Sequence, residues 1–160
     1  MEMRIGSGFD VHSLKRGSSI TLCGIEIPHN YMLVGHSDAD VAMHALTDAI
    51  FGALADGDIG QHFPSHDDAW QGVKSEIFLT KAVSIMTNRK YSICNIDITI
   101  ICEEPKINKH SLVMRKNIGR LSGVEIDRVS IKATTSEKIG FTGRNEGIAS
   151  MASVLLSKNE

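Results

Sequence analysis

The apolar positions of this 160-residue chain switch between a spacing of two and a helical spacing, and the switches mark out most of its elements. Met3 to Val11 reads as a first strand. Ser19-Ile20-Thr21-Leu22-Cys23 and Ile25-Glu26-Ile27-Pro28 alternate on either side of Gly24, the pattern of a small hairpin. Ser37-Asp38-Ala39-Asp40 has capping-box spacing, with Ser37 as N-cap and an acid three residues on. It predicts a helix over Val41 to Ala55 that ends before Gly57. The stretch from Asp56 to Gly72 is dense in Gly, Asp, His and Pro and predicts a loop. Val73 to Met86 carries Ile77, Leu79 and Val83 at helical spacing. Tyr91 to Cys102, with Ile93, Ile96, Ile98 and Ile100, reads as a central strand. Leu112 to Leu121 predicts a helix stopped by Gly123, and Val129 to Thr134 a further strand. Ile148 to Leu156 suits a helix or a buried strand equally well. Strands and helices are intermixed, so the fold class is α/β (α+β). The length predicts one domain over 1–160.

Composition narrows the partners. Hydrophobic residues make up 42% and charged residues 22%, ordinary for a globular protein. A net charge of -2 and 5% aromatics point to no nucleic acid and no membrane surface as partner. Cys23, Cys94 and Cys102 are an odd, scattered set that predicts reduced thiols. No apolar run is long enough to span a bilayer. The expected location is the cytoplasm, or an organelle for a mature form without its leader.

Two constellations carry candidate chemistry. Asp10 and His12 lie two apart in a strand-like segment, so their side chains share one side. His44 lies on the best-marked helix. One carboxylate and two imidazoles, with a position left open, are the ligand count of a catalytic zinc site. From spacing alone, Asp10 as a turn cap and His44 as a core residue account for the pattern too. Asp40 and Asp48, four residues either side of His44, are candidates to accept its second ring N–H. His62 and His66 would share a metal only on a helix, which Pro64 disfavours; His29 and His110 read as surface residues. The second constellation joins Glu103-Glu104-Pro105-Lys106, after one strand, with Thr135-Ser136-Glu137-Lys138-Ile139-Gly140-Phe141-Thr142-Gly143-Arg144, after another. Hydroxyls, Lys106 and Arg144 suit phosphate oxygens, and Glu137 suits an oxygen-seeking divalent cation. A Thr- and Gly-rich turn kept for conformational reasons fits the same residues.

Arg4 to His12, His36 to Ala49, Gly57-Asp58-Ile59-Gly60, Phe63-Pro64 and Lys132 to Arg144, taken in order, resemble the 2-C-methyl-D-erythritol 2,4-cyclodiphosphate synthase family. The likeness runs over essentially the whole chain. It implies a homotrimer of subunits with a mixed sheet facing the central axis, helices packed on the other face, and active sites between subunits. It implies a phosphorus-oxygen lyase that turns 4-diphosphocytidyl-2-C-methyl-D-erythritol 2-phosphate into the cyclic diphosphate and CMP, in non-mevalonate isoprenoid synthesis. By resemblance Asp10, His12 and His44 hold one Zn²⁺ per site, and Glu137 serves a second divalent cation, Mg²⁺ or Mn²⁺. His36 and Thr135 match positions that assist phosphoryl transfer. Ser37, Asp58, Ile59, Gly60, Phe63, Pro64, Ser65, His66 and Asp67 match contacts to the methylerythritol phosphate. Cys102, Glu103, Glu104, Pro105, Lys106, Ile107, Asn108, Thr134 and Ser136 match the cytidine diphosphate site, and Phe141 and Arg144 further substrate contacts. Ile98, Ile100 and Ile148 to Leu156 are candidates for the face between subunits.

The sequence departs from that pattern at three places. Ala39 stands where Gly is usual, a harmless change if the residue is already helical. Ser65 stands where Asp is common, and Asn145 where Gly is frequent. Two other functions fit the same residues: a zinc phosphohydrolase that would release inorganic phosphate, and a zinc- and nucleotide-binding regulatory module that would leave the nucleotide unchanged.

Overall fold

Strand alternation continues well beyond the stretches that the apolar pattern marks. The computed structural model describes residues 2–64 and 66–159. Ser65, one of the expected substrate contacts, lies outside the described residues. The strands are β1 (Met3–Arg16), β2 (Ser19–Leu22), β3 (Ile25–Pro28), β4 (Tyr31–Leu33), β5 (Tyr91–Ile101), β6 (Val129–Thr134) and β7 (Gly147–Lys158). The helices are α1 (Val41–Ala53), α2 (Ile59–His62), α3 (Glu76–Asn88), α4 (Ser111–Ser122) and α5 (Gly140–Gly143). Five strands form a mixed sheet in the order β4-β1-β7-β5-β6, with β5 and β6 parallel and the other neighbours antiparallel. The hairpin β2–β3 stands apart as its own two-stranded sheet.

The undecided C-terminal segment is a strand, and it lies between β1 and β5. Ile148, Ser150, Ala152, Val154 and Leu156 are all buried, a period of two. Small residues at 149, 150, 152 and 153 blur that period in the sequence. The predicted loop 56–72 contains α2 and a short 3-10 turn at Asp68–Trp70. Gly123 ends α4 in a left-handed conformation at φ 70°, the usual C-terminal stop.

The helices lie on one face of the sheet. Gly6 and Gly8 of β1 sit directly under α1. A Cβ on Gly6 would come within 1.9 Å of the Ala49 carbonyl oxygen, and one on Gly8 within 1.9 Å of the Ala45 carbonyl oxygen. Only glycine lets the helix backbone approach the strand so closely. That approach puts His44 over the strand residues that follow Gly8.

The opposite face of β1 and β7 is apolar and, among the described residues, has no helix over it. Ile5 (76% exposed), Phe9 (57%) and Met151 (54%) lie there, with Ile5 paired to Leu155 and Phe9 to Met151 across the strands. Ile98 and Ile100, expected at a subunit interface, are instead fully buried in this chain's own core, with Ile148, Val154 and Leu156. Alternation decides it: the even-numbered residues of β7, and those of β5 from Ile96 on, beyond a bulge between Ile93 and Asn95, face the helices.

Gly8→Ala should force α1 off the sheet. Overpacking against backbone costs about 3 kcal/mol, which for a chain of this size lowers Tm by about 6–12 °C. Gly52→Ala, on the same helix but with no atom nearer than the Ser7 carbonyl oxygen at 3.8 Å, should leave Tm unchanged or higher. Equal melting of Gly8→Ala and the parent chain in a thermal scan would contradict the packing argument.

Candidate functional site

Asp10 and His12 point to the helix-facing side of β1, and α1 brings His44 above them. Asp10 Oδ2 lies 3.0 Å from His12 Nε2 and 3.0 Å from His44 Nδ1, and the two ring nitrogens are 3.2 Å apart. Ligands about 2.05 Å from a tetrahedral zinc are separated by about 3.3 Å. The three atoms therefore fit one ion with little movement. Among the described residues, this is the cluster of three His, Cys, Asp or Glu side chains whose ligand atoms converge.

The far ring nitrogens are held as a metal site requires. His12 Nδ1–H donates to the Val34 carbonyl at 2.8 Å, which leaves Nε2 free to bind. His44 Nε2 lies 2.8 Å from Ser75 Oγ and 3.1 Å from Ser37 Oγ. Neither Asp40 nor Asp48 plays the expected part. Asp40 is the N-cap of α1, fully buried, and accepts from the N–H groups of Met43, Cys23 and Gly24. It ties the turn of the β2–β3 hairpin to the helix start. Burial pushes its carboxyl up to about 6, against the pull of those N–H groups. Asp48 accepts from Ile59 N at 2.7 Å and anchors α2.

The helix starts at Val41, later than Ser37 as N-cap would have it, because Ala39 has φ 55°. A left-handed residue cannot continue a right-handed helix. Ser37 Oγ instead accepts from Ala39 N at 3.2 Å. Ala39 is thus not helical, so the condition for a harmless change is not met, and its conformation costs an L-residue about 1–2 kcal/mol. Asn145 also sits at φ 55°, which Asn tolerates better than most residues. Both departures from the family's glycines fall at left-handed positions.

Without metal, burial raises the Asp10 carboxyl, but hydrogen bonds from His12 and His44 outweigh it and hold the group at about 2. The Asp10 carboxylate raises the His12 imidazole above its usual range, against burial.

A cavity of about 360 Å³ opens beside the three ligands, with His36, Ser37, Ile59, Gly60, Phe63 and His66 in its wall. Asp67 lines it and also accepts from Ala69 N. Trp70, Gln71 and Phe78 complete the wall; sequence reasoning missed them. Phe63 packs against Phe78 with ring centroids 4.6 Å apart and edge-on to Trp70 at 5.0 Å. Aromatic residues bunched in a Gly- and Asp-rich segment were the available signal. Asp58 does not line the cavity; it caps α2 through Gln61 N at 2.9 Å.

A second cavity, about 130 Å³, lies where β5 and β6 end. Cys102, Glu103, Pro105, Lys106, Ile107 and Asn108 form one wall, and Ala133, Thr134 and Thr135 the other. Glu103 Oε1 accepts from the N–H groups of Ser136 and Lys138, both at 3.2 Å. This holds the turn in which Glu137 and Lys138 have φ 53° and 63°. Thr135 Oγ1 donates to Glu137 Oε1 at 3.0 Å. Ser136 Oγ is bonded to Thr142 Oγ1 at 2.7 Å. Glu104 pairs with Lys106 at 3.5 Å, and Arg144 with Glu146 at 2.9 Å. Pro64, Glu104, Ser136, Glu137, Phe141 and Arg144 line neither cavity. Asp10 pairs with Ser150, Ser150 with Ile100, and Ile100 with Ala133. Both cavities therefore border one level of the sheet, at which Asp10 and Ala133 are three strand spacings or about 14 Å apart.

This is a mixed α/β protein with a three-residue metal-ligand cluster beside a cavity and a phosphate-suited turn across the sheet. The YgbB family pattern matches residues 3–157, and the chain belongs to that family. It is 56% identical over 156 residues to a 2-C-methyl-D-erythritol 2,4-cyclodiphosphate synthase of Roseobacter denitrificans, covering 98% of both chains. It is 55% identical to a bifunctional enzyme IspD/IspF of Dinoroseobacter shibae over 98% of its own length, but spans only 39% of that protein. Among solved structures, the bifunctional IspDF from Campylobacter jejuni superposes with a TM-score of 0.95 at 37% identity, over 99% of this chain and 43% of that one. An IspF from Plasmodium falciparum, solved as a CDP complex, gives 0.87 at 34% identity over 99% and 97% of the two chains.

The metal-free protein should show a defined stability window. His12, raised when folded, contributes stability fully present below its ordinary pKa of 6.5 and lost as pH rises through the folded value. Asp10, lowered when folded, contributes stability present above 3.8 and lost as pH falls toward about 2. EDTA-treated protein should thus melt lower at pH 8 than at pH 6, and Asp10→Asn should flatten that slope in a thermal scan.

Proposed function

We propose that the chain, acting as one catalytic domain over 1–160, converts 4-diphosphocytidyl-2-C-methyl-D-erythritol 2-phosphate into 2-C-methyl-D-erythritol 2,4-cyclodiphosphate and CMP. It is then a phosphorus-oxygen lyase of non-mevalonate isoprenoid precursor synthesis. The convergence of Asp10, His12 and His44, with both imidazoles lining the 360 Å³ cavity, carries this reading, and the names borne by full-length relatives support it.

When bound, Zn²⁺ at Asp10, His12 and His44 supplies a Lewis acid for phosphate oxygens, and Mg²⁺ or Mn²⁺ near Glu137 neutralises further diphosphate charge. The protein's own residues do the rest. The cavity walls of Phe63, Trp70 and Phe78 exclude water. Ile59, Gly60, His66 and Asp67 border the space assigned to the methylerythritol phosphate, and the Cys102 to Asn108 wall takes the cytidine end. Lys106, whose Nζ lies 3.0 Å from the Glu103 carbonyl oxygen, brings a cation to the diphosphate. His36 and Thr135 donate to oxygens whose charge grows as the ring closes. The attacking 2-phosphate and the β-phosphorus belong to one molecule, so holding it folded lowers the barrier by about 7–11 kcal/mol. No enzyme nucleophile takes part.

The reading includes a homotrimer. In this reading each substrate bridges the metal cavity of one subunit and the nucleotide cavity of the next. The uncovered row Ile5, Phe9 and Met151 supplies an apolar face for the trimer axis. Among the described residues no helix is long and apolar enough to cross a membrane; the reading places the enzyme in the cytoplasm.

Asp10→Asn should lose bound zinc and CMP formation together, the first by metal analysis and the second by ³¹P NMR. Normal turnover by a zinc-free variant would refute the assignment, and inorganic phosphate in place of the cyclic product would mark a hydrolase. Phe9→Asp should sediment as a monomer with little activity, whereas a fully active monomer at micromolar concentration would remove the interface.

A further inference from the structure

We propose that Asp38 and Ser75 are positioning residues that fix the tautomer of His44 and so set the zinc affinity of the site. The inference rests on the zinc reading above and adds to it two residues outside the ligand set and outside both cavity walls.

Hydrogen-bond direction at His44 is fixed by its neighbours. His44 must present a lone pair at Nδ1, the atom 3.0 Å from Asp10 Oδ2. Its proton must then sit on Nε2. Two hydroxyl oxygens lie within reach of Nε2, Ser75 Oγ at 2.8 Å and Ser37 Oγ at 3.1 Å. Ser37's proton is not committed, so that hydroxyl can donate or accept. Ser75's proton is committed. Its hydroxyl donates to Asp38 Oδ1, an oxygen that also accepts from Asp40 N. The Ser75 oxygen therefore faces His44 with lone pairs alone, and Nε2 must be the donor. Polarity runs one way, from Nε2–H to Ser75 to Asp38.

The relay is built to hold that direction. Ser75 is fully buried. Asp38 Oδ2 also accepts from Ser75 N at 3.0 Å, and Oδ1 from Asp40 N at 3.2 Å. The main chain is tied in parallel, with Asp38 N donating to the Val73 carbonyl at 3.1 Å and Gly72 N to the His36 carbonyl at 2.6 Å. Ser75 precedes α3 yet makes no side-chain capping bond to it; its hydroxyl serves His44 instead. The other imidazole has no such dependence, because a backbone carbonyl, Val34, fixes His12. Control of ligand tautomer by mutable side chains thus falls on His44 alone.

Two substitutions separate positioning from packing. Ser75→Ala removes the acceptor and changes almost no volume. Asp38→Asn keeps the shape but puts an amide where a pure acceptor stood. If that amide donates to Ser75 Oγ, the hydroxyl turns to donate to Nε2 and favours the wrong His44 tautomer. Loss of such outer partners typically weakens metal binding 10–100-fold. Zinc affinity by chelator competition should fall by that factor in Ser75→Ala, and at least as far in Asp38→Asn. In the zinc-loaded parent chain, ¹⁵N–¹H spectra should show a His44 Nε2–H protected from solvent exchange by its bond to Ser75, and Ser75→Ala should lose that protection. Thermal scans of the metal-free variants check that both fold. The inference is overturned if folded Ser75→Ala binds zinc within threefold of the parent, or if the His44 Nε2–H of the zinc-loaded parent exchanges as fast as that of Ser75→Ala. A parent chain that binds no zinc would instead overturn the zinc reading, a result the affinity of the variants cannot mimic.

Discussion

The close seating of α1 on β1 is the constraint on which the candidate site depends. His44 reaches Asp10 and His12 only because Gly6 and Gly8 present no side chain to the Ala49 and Ala45 carbonyl oxygens. The same contact buries Ala45, Ala49 and Ile50 in the core. Packing and chemistry therefore share one piece of geometry. A helix raised by the thickness of a methyl group would loosen the core and part the three ligands together.

Around that contact the chain uses polar side chains to fix the ends of elements. Asp40 caps α1 and receives the Cys23–Gly24 turn of the hairpin. Asp48 holds the start of α2, which borders the metal-side cavity. Glu103 binds the N–H groups of the turn that carries Glu137. Each of these acids serves backbone donors that would otherwise lose their partners on burial. The acids of this chain divide between shaping backbone and facing ligand, and sequence spacing does not separate the two.

Much of the architecture was legible from periodicity. The hairpin, α1, α4, β5 and β6 came out within a few residues of their observed limits. β7 stayed undecided because small residues hide its period, and β4, only three residues long, left no pattern. The site was legible to the same extent. Asp10 and His12 are neighbours on one strand, so alternation places them together. The partners of the His44 ring were misread, since Ser75 lies 31 residues further on and meets it only through packing. The left-handed conformation of Ala39 was not legible, because a φ near 55° leaves no mark in composition when the residue is not glycine.

By itself the sequence determined the element order, the ligand types and a family-wide motif set, all of which follow from local spacing and residue chemistry. Tertiary structure alone decided which hydroxyl faces His44, which isoleucines are core and which apolar row is left open, and that two cavities share one level of the sheet. Those outcomes depend on strand register and helix seating. Both are settled by contacts between residues far apart in the chain, where a shift of one position in register turns a buried side chain outward.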